Sequence, residues 1–448
     1  MKKNHILIAI GLIIMISSVV INADDGKKVF PYSYKTETLD NGLKVILMPM
    51  ESNGLLSFYT VVQTGSRDEW EPGKSGFAHF FEHMMFRGTK RHPGAVYDSI
   101  IISLGADANA YTTDDYTCYH LNIASEDLET VLDLESDRFQ FLDYPEEAFK
   151  TESGAVYGEF RKGRKNPFSV LYEKLKETAF DKHTYKHTTI GYEADIINMP
   201  NMFEYSKSFY SRYYRPQNCV LMICGDFDEA KTMELVKKYY GTWTEDGYTK
   251  PKIEQEPEQN GERTAIANYP DKTNPIIAVG YKGESYNPAN KNVIATQLLG
   301  ELAFGSNSKL YKKLMIEESK LQYLGPSFNN NKDPFLWLIY ALVNLESDIE
   351  YVKEEIFKTV THFQENLVDL ETLNNLKKRI KYSFLMGLDT PDKVAGGLAR
   401  TMALTGGVEA VDVEFNTMET IRPEDIKAAA KLLVKDKRTV VTLIGDQK

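Results

Sequence analysis

The chain uses one plan twice. Val220-Leu221-Met222-Ile223-Cys224-Gly225-Asp226 is a short apolar run stopped by Gly-Asp, and the C-terminus repeats it as Val440-Val441-Thr442-Leu443-Ile444-Gly445-Asp446. Upstream, "HFFEHMMF" (79–86) falls on "QLLGELAF" (297–304). Both pairs are displaced by roughly 220 residues, and a shared displacement is the mark of duplication. Between the copies lies "EDGYTKPKIEQEPEQNGERT", polar, charged and interrupted by two prolines, which is linker composition. The expected organisation is a first domain at 30–245, a linker at 246–264 and a homologous second domain at 265–448.

Strands and helices mix within each copy. "TETLDNGLKVILM" reads as a hairpin turning at Asn41-Gly42, and "LLSFYTVVQTGS" as a further strand. A helix is expected from Ser125, under a serine cap, with Leu128, Val131, Leu132 and Phe139 on its apolar side. Tyr144-Pro145 interrupts it, and a second helix follows from about Glu146 to Arg164. Runs of strands followed by paired helices give an α+β class.

The first residues have a separate purpose. Lys2 and Lys3 precede an apolar stretch from Ile6 to Val20, with Ala23 before polar sequence. That is the layout of an export signal, and the absence of Arg argues against a mitochondrial presequence. Residues 1–23 are expected to be a signal peptide, which makes the chain exported, periplasmic or secreted; an uncleaved signal anchor is the alternative. Only Cys118, Cys219 and Cys224 are present, too few for a disulfide framework. Cys219 and Cys224 are an odd number of positions apart and would face opposite sides of a strand. A formal charge of -11 without a long basic run argues against nucleic acid as a partner.

The chemistry concentrates in "GFAHFFEHMMFRGTKRH" (76–92), which holds three of the chain's eight histidines. On a helix, residues four apart lie about 40° apart around the axis and about 6 Å apart along it. His79 and His83 can therefore aim at one point, with Glu82 inside an arc of about 100° of both. This is the H-E-x-x-H zinc arrangement read backwards. Two neutral imidazoles suit Zn²⁺, and the carboxylate can serve a water beside it. The competing reading is a pair of core histidines beside a solvated glutamate. A zinc site needs a third ligand, and "KTESGAVYGEFRKG" offers Glu152 and Glu159, seven apart and nearly in line on one helix face with Ala148, Ala155 and Val156.

With these motifs the chain resembles the pitrilysin/insulinase family of inverted-motif zinc metallopeptidases (inverzincins). Within it, the chain is similar to half-size subunits of the mitochondrial processing peptidase beta kind and their bacterial periplasmic homologues. H-x-x-E-H stands as His79-Phe80-Phe81-Glu82-His83. The resemblance implies two homologous domains, each a mostly antiparallel mixed sheet flanked by helices. It implies one Zn²⁺ per chain held by His79, His83 and Glu159, with Glu152 supporting the ligands from behind. It assigns Glu82 as the general base, and Asn109, Ala110, Tyr111 and Thr112 of "DANAYTTDDYT" as a strand that binds extended substrate. The matches continue through "TTIGYEADI", "YYRPQNCVLMICGDFD", "EPEQNGERT" and "FGSNSKLYKKL".

One departure matters. Active members use an Arg and a Tyr, seven residues apart in the second half, to hold the substrate carbonyl. In "KKLMIEESKLQYL", Tyr323 matches the Tyr, but Ile316 stands at the Arg position and cannot stabilise an oxyanion. The second half also has Gln297, Gly300 and Glu301 where the first has His79, Glu82 and His83, so no second metal site is expected. The implied activity is endoproteolysis of short or unfolded polypeptides, within a heterodimer whose homologous subunit supplies the Arg/Tyr pair, or within a homodimer. The alternative is a non-catalytic or partner-dependent assembly subunit.

Overall fold

The computed structural model describes residues 27–244 and 247–446. The expected signal peptide at 1–23 lies outside the described residues, as do positions 245 and 246, where the first domain was expected to give way to the linker.

The first sheet contains β1 (Lys35–Thr38), β2 (Lys44–Pro49), β3 (Leu55–Val62), β4 (Asp107–Thr112), β5 (Thr117–Ala124) and β6 (Cys219–Gly225), in the order β1-β2-β6-β3-β5-β4. The second contains β7 (Arg263–Tyr269), β8 (Ile276–Lys282), β9 (Leu321–Phe328), β10 (Leu336–Val343) and β11 (Arg438–Gly445), in the order β7-β11-β8-β10-β9. Without β1 the two orders superimpose. Each sheet has one parallel pairing, β2 with β6 and β7 with β11, while its other described pairings are antiparallel. The two Gly-Asp phrases are thus β6 and β11, strands paired on both sides. That placement explains their near-continuous apolar character, because both faces are covered. Cys219 and Cys224 do lie in different cores on the two faces of the first sheet.

The hairpin turn at Asn41-Gly42 forms, with Gly42 at φ 88 and the Asn41 amide donating to the Tyr240 and Trp243 carbonyls. The serine cap does not. A 3-10 turn, Ser125–Asp127, precedes the helix Leu128–Phe141, and Ser125 makes no capping bond. Its backbone N–H is instead committed to the Gly54 carbonyl, which ties the end of β5 to the start of β3. The second helix, Glu146–Gly163, begins directly after Pro145. β7 starts at Arg263, inside the stretch expected to be linker. Upstream of it, Glu256 accepts the backbone N–H groups of Asp181, Lys182 and His183, so this polar segment is pinned to the first half.

The halves exchange helices. Pro391–Thr405 of the second half packs on β3 and β6, while Pro167–Ala179 of the first packs on β7, β8 and β11. One core accordingly contains Val61 and Met222 of the first sheet together with Leu398 and Met402. A smaller core joins Leu171 and Leu175 to Ala278 and Leu443. On its other face, the first sheet covers the helix Phe77–Met84, which carries the candidate site.

Candidate metal centre

The helix Phe77–Met84 buries Phe77, Phe80, Phe81 and Met84 at 0–1% exposure. Burying that face turns His79, Glu82 and His83 the other way. His79 Nε2 and His83 Nε2 each lie 3.5 Å from the same atom, Glu159 Oε2. Among the described residues, these three form the group whose donor atoms all fall within 4.8 Å of one another. A tetrahedral zinc with bonds of about 2.0–2.1 Å keeps its ligand atoms roughly 3.3–3.5 Å apart, so the spacing and donor types fit that ion.

Glu152 and Glu159 share the helix Glu146–Gly163 but sit at different depths. Glu152 is 3% exposed, whereas the Glu159 side chain is 49% exposed. The expected inward face is partly wrong: Ala155 is exposed, and the buried residues are Phe149, Glu152, Ser153, Val156 and Phe160. Glu159 therefore stands at the rim, although Val156 and Phe160 beside it are buried. Glu152 Oε1 lies 2.8 Å from His83 Nδ1, and Oε2 accepts from Arg87. Burial works to raise the Glu152 pKa, but His83 and Arg87 together hold it below the usual 4.5. With Nδ1 engaged by a carboxylate, His83 presents Nε2 as its free nitrogen. The same bond raises the His83 pKa, while burial and the neighbouring His83 lower His79 to about 4. His79 is therefore neutral at neutral pH, with a lone pair available for a metal.

Glu82 receives a 2.6 Å hydrogen bond from the Thr112 hydroxyl. Burial lifts the Glu82 pKa and the Thr112 bond opposes that rise. Thr112 belongs to β4, which among the described residues pairs with β5 alone and ends the sheet. The four expected strand residues divide. Asn109 and Ala110 line a cleft of about 290 Å³ with Glu82, His83, Phe86, Arg87, Asp98 and Glu152. Thr112 holds Glu82, and Tyr111 turns to the sheet's other face, against Tyr116 and His120. Tyr323 is not brought to this group. It is 52% exposed on β9, the free edge of the second sheet, and takes no part in the contacts made by His79, His83 and Glu159. Ile316 is 67% exposed in a π-helical turn, Lys312–Glu317. The sequence reading missed Arg87, whose only signal was its place four residues after His83 in "EHMMFR".

The family profile described as "Insulinase (Peptidase family M16)" matches residues 55–193, which include all five of His79, Glu82, His83, Glu152 and Glu159. A second, "Peptidase M16 inactive domain", matches residues 203–380. The chain belongs to peptidase family M16. Its M16 relatives include the zinc protease PqqE of Helicobacter pylori, 29% identical over 369 residues that cover 81% of this chain and 82% of that protein. The mitochondrial-processing peptidase subunit beta of Saccharomyces cerevisiae is 23% identical, over 92% of this chain and 89% of its own. The crystal structure of a protease from Helicobacter pylori superimposes with a TM-score of 0.86 at 27% identity, covering 92% of this chain and 99% of that one. Two homologous domains, each a mixed sheet flanked by helices, are the M16 fold.

Proposed function

We propose that this M16 chain is a zinc-dependent endopeptidase acting on short or unfolded polypeptides. The observation that carries the reading is the convergence of His79 Nε2, His83 Nε2 and Glu159 Oε2, with Glu82 alongside. One Zn²⁺ held there would supply Lewis-acid activation of a water and of the scissile carbonyl. Glu82 takes the proton from that water and returns it to the leaving amine, and the Thr112 hydroxyl keeps its carboxylate in place for both transfers. Glu152 fixes the His83 ring, and Arg87 balances the Glu152 charge. The free edge of β4 pairs with an extended peptide through main-chain bonds, which suits unfolded chains of varied sequence.

Oxyanion stabilisation is divided between chains in this reading. Ile316 offers no donor, and Tyr323 is half exposed on the edge strand β9, so it is available to a second subunit. An Arg/Tyr pair then comes from a homologous partner, or Tyr323 alone from a second copy. Ile316 also favours a second reading, a chain that holds zinc yet cleaves only beside its partner. Lys2 to Ala23 supports an exported, periplasmic or secreted location.

The test is bound zinc in the purified chain together with o-phenanthroline-sensitive cleavage of an unstructured peptide. Cleavage abolished by the chelator and restored by zinc is expected. Zinc without cleavage by the chain alone selects the partner-dependent reading, and cleavage indifferent to the chelator overturns the zinc reading.

A further inference from the structure

The helix that presents His79, Glu82 and His83 runs only from Phe77 to Met84. Two turns have no helical stability of their own in water, so the helix's orientation must be imposed from outside. Its apolar face sets the depth of burial. Its packed rings restrict rotation as well, but a metal site tolerates only about 0.5 Å of error, so the backbone ends of so short a helix must also be held. No side chain of the local sequence caps the N-terminus: the N-cap is Gly76, at φ 92. Glycine is required there on two counts, because a Cβ would also meet the Ile190 carbonyl oxygen at 2.6 Å.

The cap comes from Glu69. Its Oε2 accepts the Gly76 N–H and its Oε1 accepts the Ala78 N–H, each at 2.7 Å. The Glu69 side chain has no exposed surface. Burial lifts its pKa, and the bonds from Ala78 and Gly76 pull against that rise. His187 Nδ1 lies 3.8 Å away and is directed to the Thr188 carbonyl instead. Both carboxylate oxygens thus serve the first turn, and Ala78 is the residue before His79. The preceding residue is held as well: the Ser75 N–H and hydroxyl both donate to Asp195 Oδ2, at 3.1 and 2.6 Å. In the second half the matching helix, Lys291–Phe304, has 14 residues and is capped by its own Asn290. A clamp from outside the cap position occurs where the helix is short and carries the candidate metal residues.

We infer that Glu69 is a positioning residue for the metal centre: its two bonds to Gly76 and Ala78 fix the rotation of the helix that aims His79 and His83 at Glu159. The inference rests on the zinc reading above. It predicts that metal affinity depends on a buried side chain that touches neither the metal ligands' side chains nor the substrate.

The test uses the full chain with Glu69→Gln, Glu69→Asp and, as a control, Leu443→Ala, which opens a cavity in the second sheet. Zinc affinity is read by chelator competition, ligand geometry by the visible spectrum of the cobalt-substituted protein, and folding by thermal melting. In Glu69→Gln one backbone N–H faces an amide NH₂ instead of an acceptor. Zinc affinity is expected to fall by about 10–100-fold with an altered cobalt spectrum, the range seen when outer partners of metal ligands are removed. Glu69→Asp is one methylene too short to span both N–H groups and is expected to fall between Gln and wild type. If Glu69→Gln does not fold, this variant carries the test. Leu443→Ala should lower the melting temperature with zinc affinity and spectrum unchanged. The inference is overturned if the folded Glu69 variants match wild type in affinity and spectrum, or if Leu443→Ala shifts both as far as they do. A wild-type chain that binds no zinc refutes the peptidase reading instead.

Discussion

The same fold was built twice in this chain, and the two copies diverge most sharply at one helix. In the first half, Glu82 stands between His79 and His83 and receives the Thr112 hydroxyl from the edge strand β4. In the second, Gly300 stands at the matching position, where a Cβ would overlap the Phe328 ring of the edge strand β9. The space that the Glu82 carboxylate takes in the first half is filled here by a phenyl ring. Gln297 donates to Asn330 at 2.8 Å, and Glu301 pairs with Arg379 at 2.8 Å, so the cation facing the second helix is a guanidinium from the chain itself. The comparison teaches that the sheet and helix framework does not by itself make a metal site. What sets the first half apart is a group of three possible metal donors on two helices, His79, His83 and Glu159.

The comparison breaks most visibly at the ligands. His83→Ala should abolish both zinc binding and peptide cleavage, whereas Glu301→Ala, its counterpart, should leave zinc content unchanged; metal analysis of the two purified variants checks this. Next in size is Glu82→Gln. Zinc stays bound, and turnover should fall by about 10²–10⁴-fold because the amide cannot take or return a proton. Steady-state kinetics beside metal analysis separates that result from metal loss.

Those two predictions rest on what could be read directly from residues. Three positions in eight, His79, Glu82 and His83, place a metal-binding pattern on any helix that carries them, and the repeated Gly-Asp strands place a second copy of the fold around it. Distance along the chain hid the remainder. Glu152 and Glu159 look equivalent on a helical wheel, and only the tertiary surroundings bury one and leave the other at the rim. Thr112 was legible as part of a strand, but its hydroxyl reaches Glu82 because β4 ends beside the metal helix, which is a tertiary fact. Glu69 lies in a loop, and its capping role depends on chain reversal at Gly73 and Gly76, both at positive φ. Ser125 failed as a cap because it opens a 3-10 turn, so the helix proper starts three residues later, at Leu128. The exchange of helices between halves leaves no local mark at all.

A smaller effect concerns how the second half braces the first. Asp333 accepts from Arg67 at 2.5 Å and lies 2.9 Å from His183 Nε2, close to the turn that ends β4. Burial alone would raise the Asp333 pKa, but His183 and Arg67 outweigh it and bring the group from 3.8 to about 2. A carboxylate with a depressed folded pKa contributes stability that is complete above its unfolded value and lost as pH falls. The brace should therefore hold above about pH 4 and fail between about pH 4 and pH 2. Asp333→Asn should flatten that part of the stability profile, as measured by denaturant unfolding across the range. Smallest of all is Arg379→Ala. Its ion pair with Glu301 is partly exposed on both sides, and such pairs contribute about 0–1 kcal/mol, so melting temperature should barely move and zinc content should not change.

The most direct measurement is anomalous scattering at the zinc edge from crystals grown with zinc. The account predicts one strong peak per chain, enclosed by His79 Nε2, His83 Nε2 and Glu159, and no peak beside Gln297 and Glu301. A chain with those three donors empty at saturating zinc, or with the ion in the second half, would contradict it.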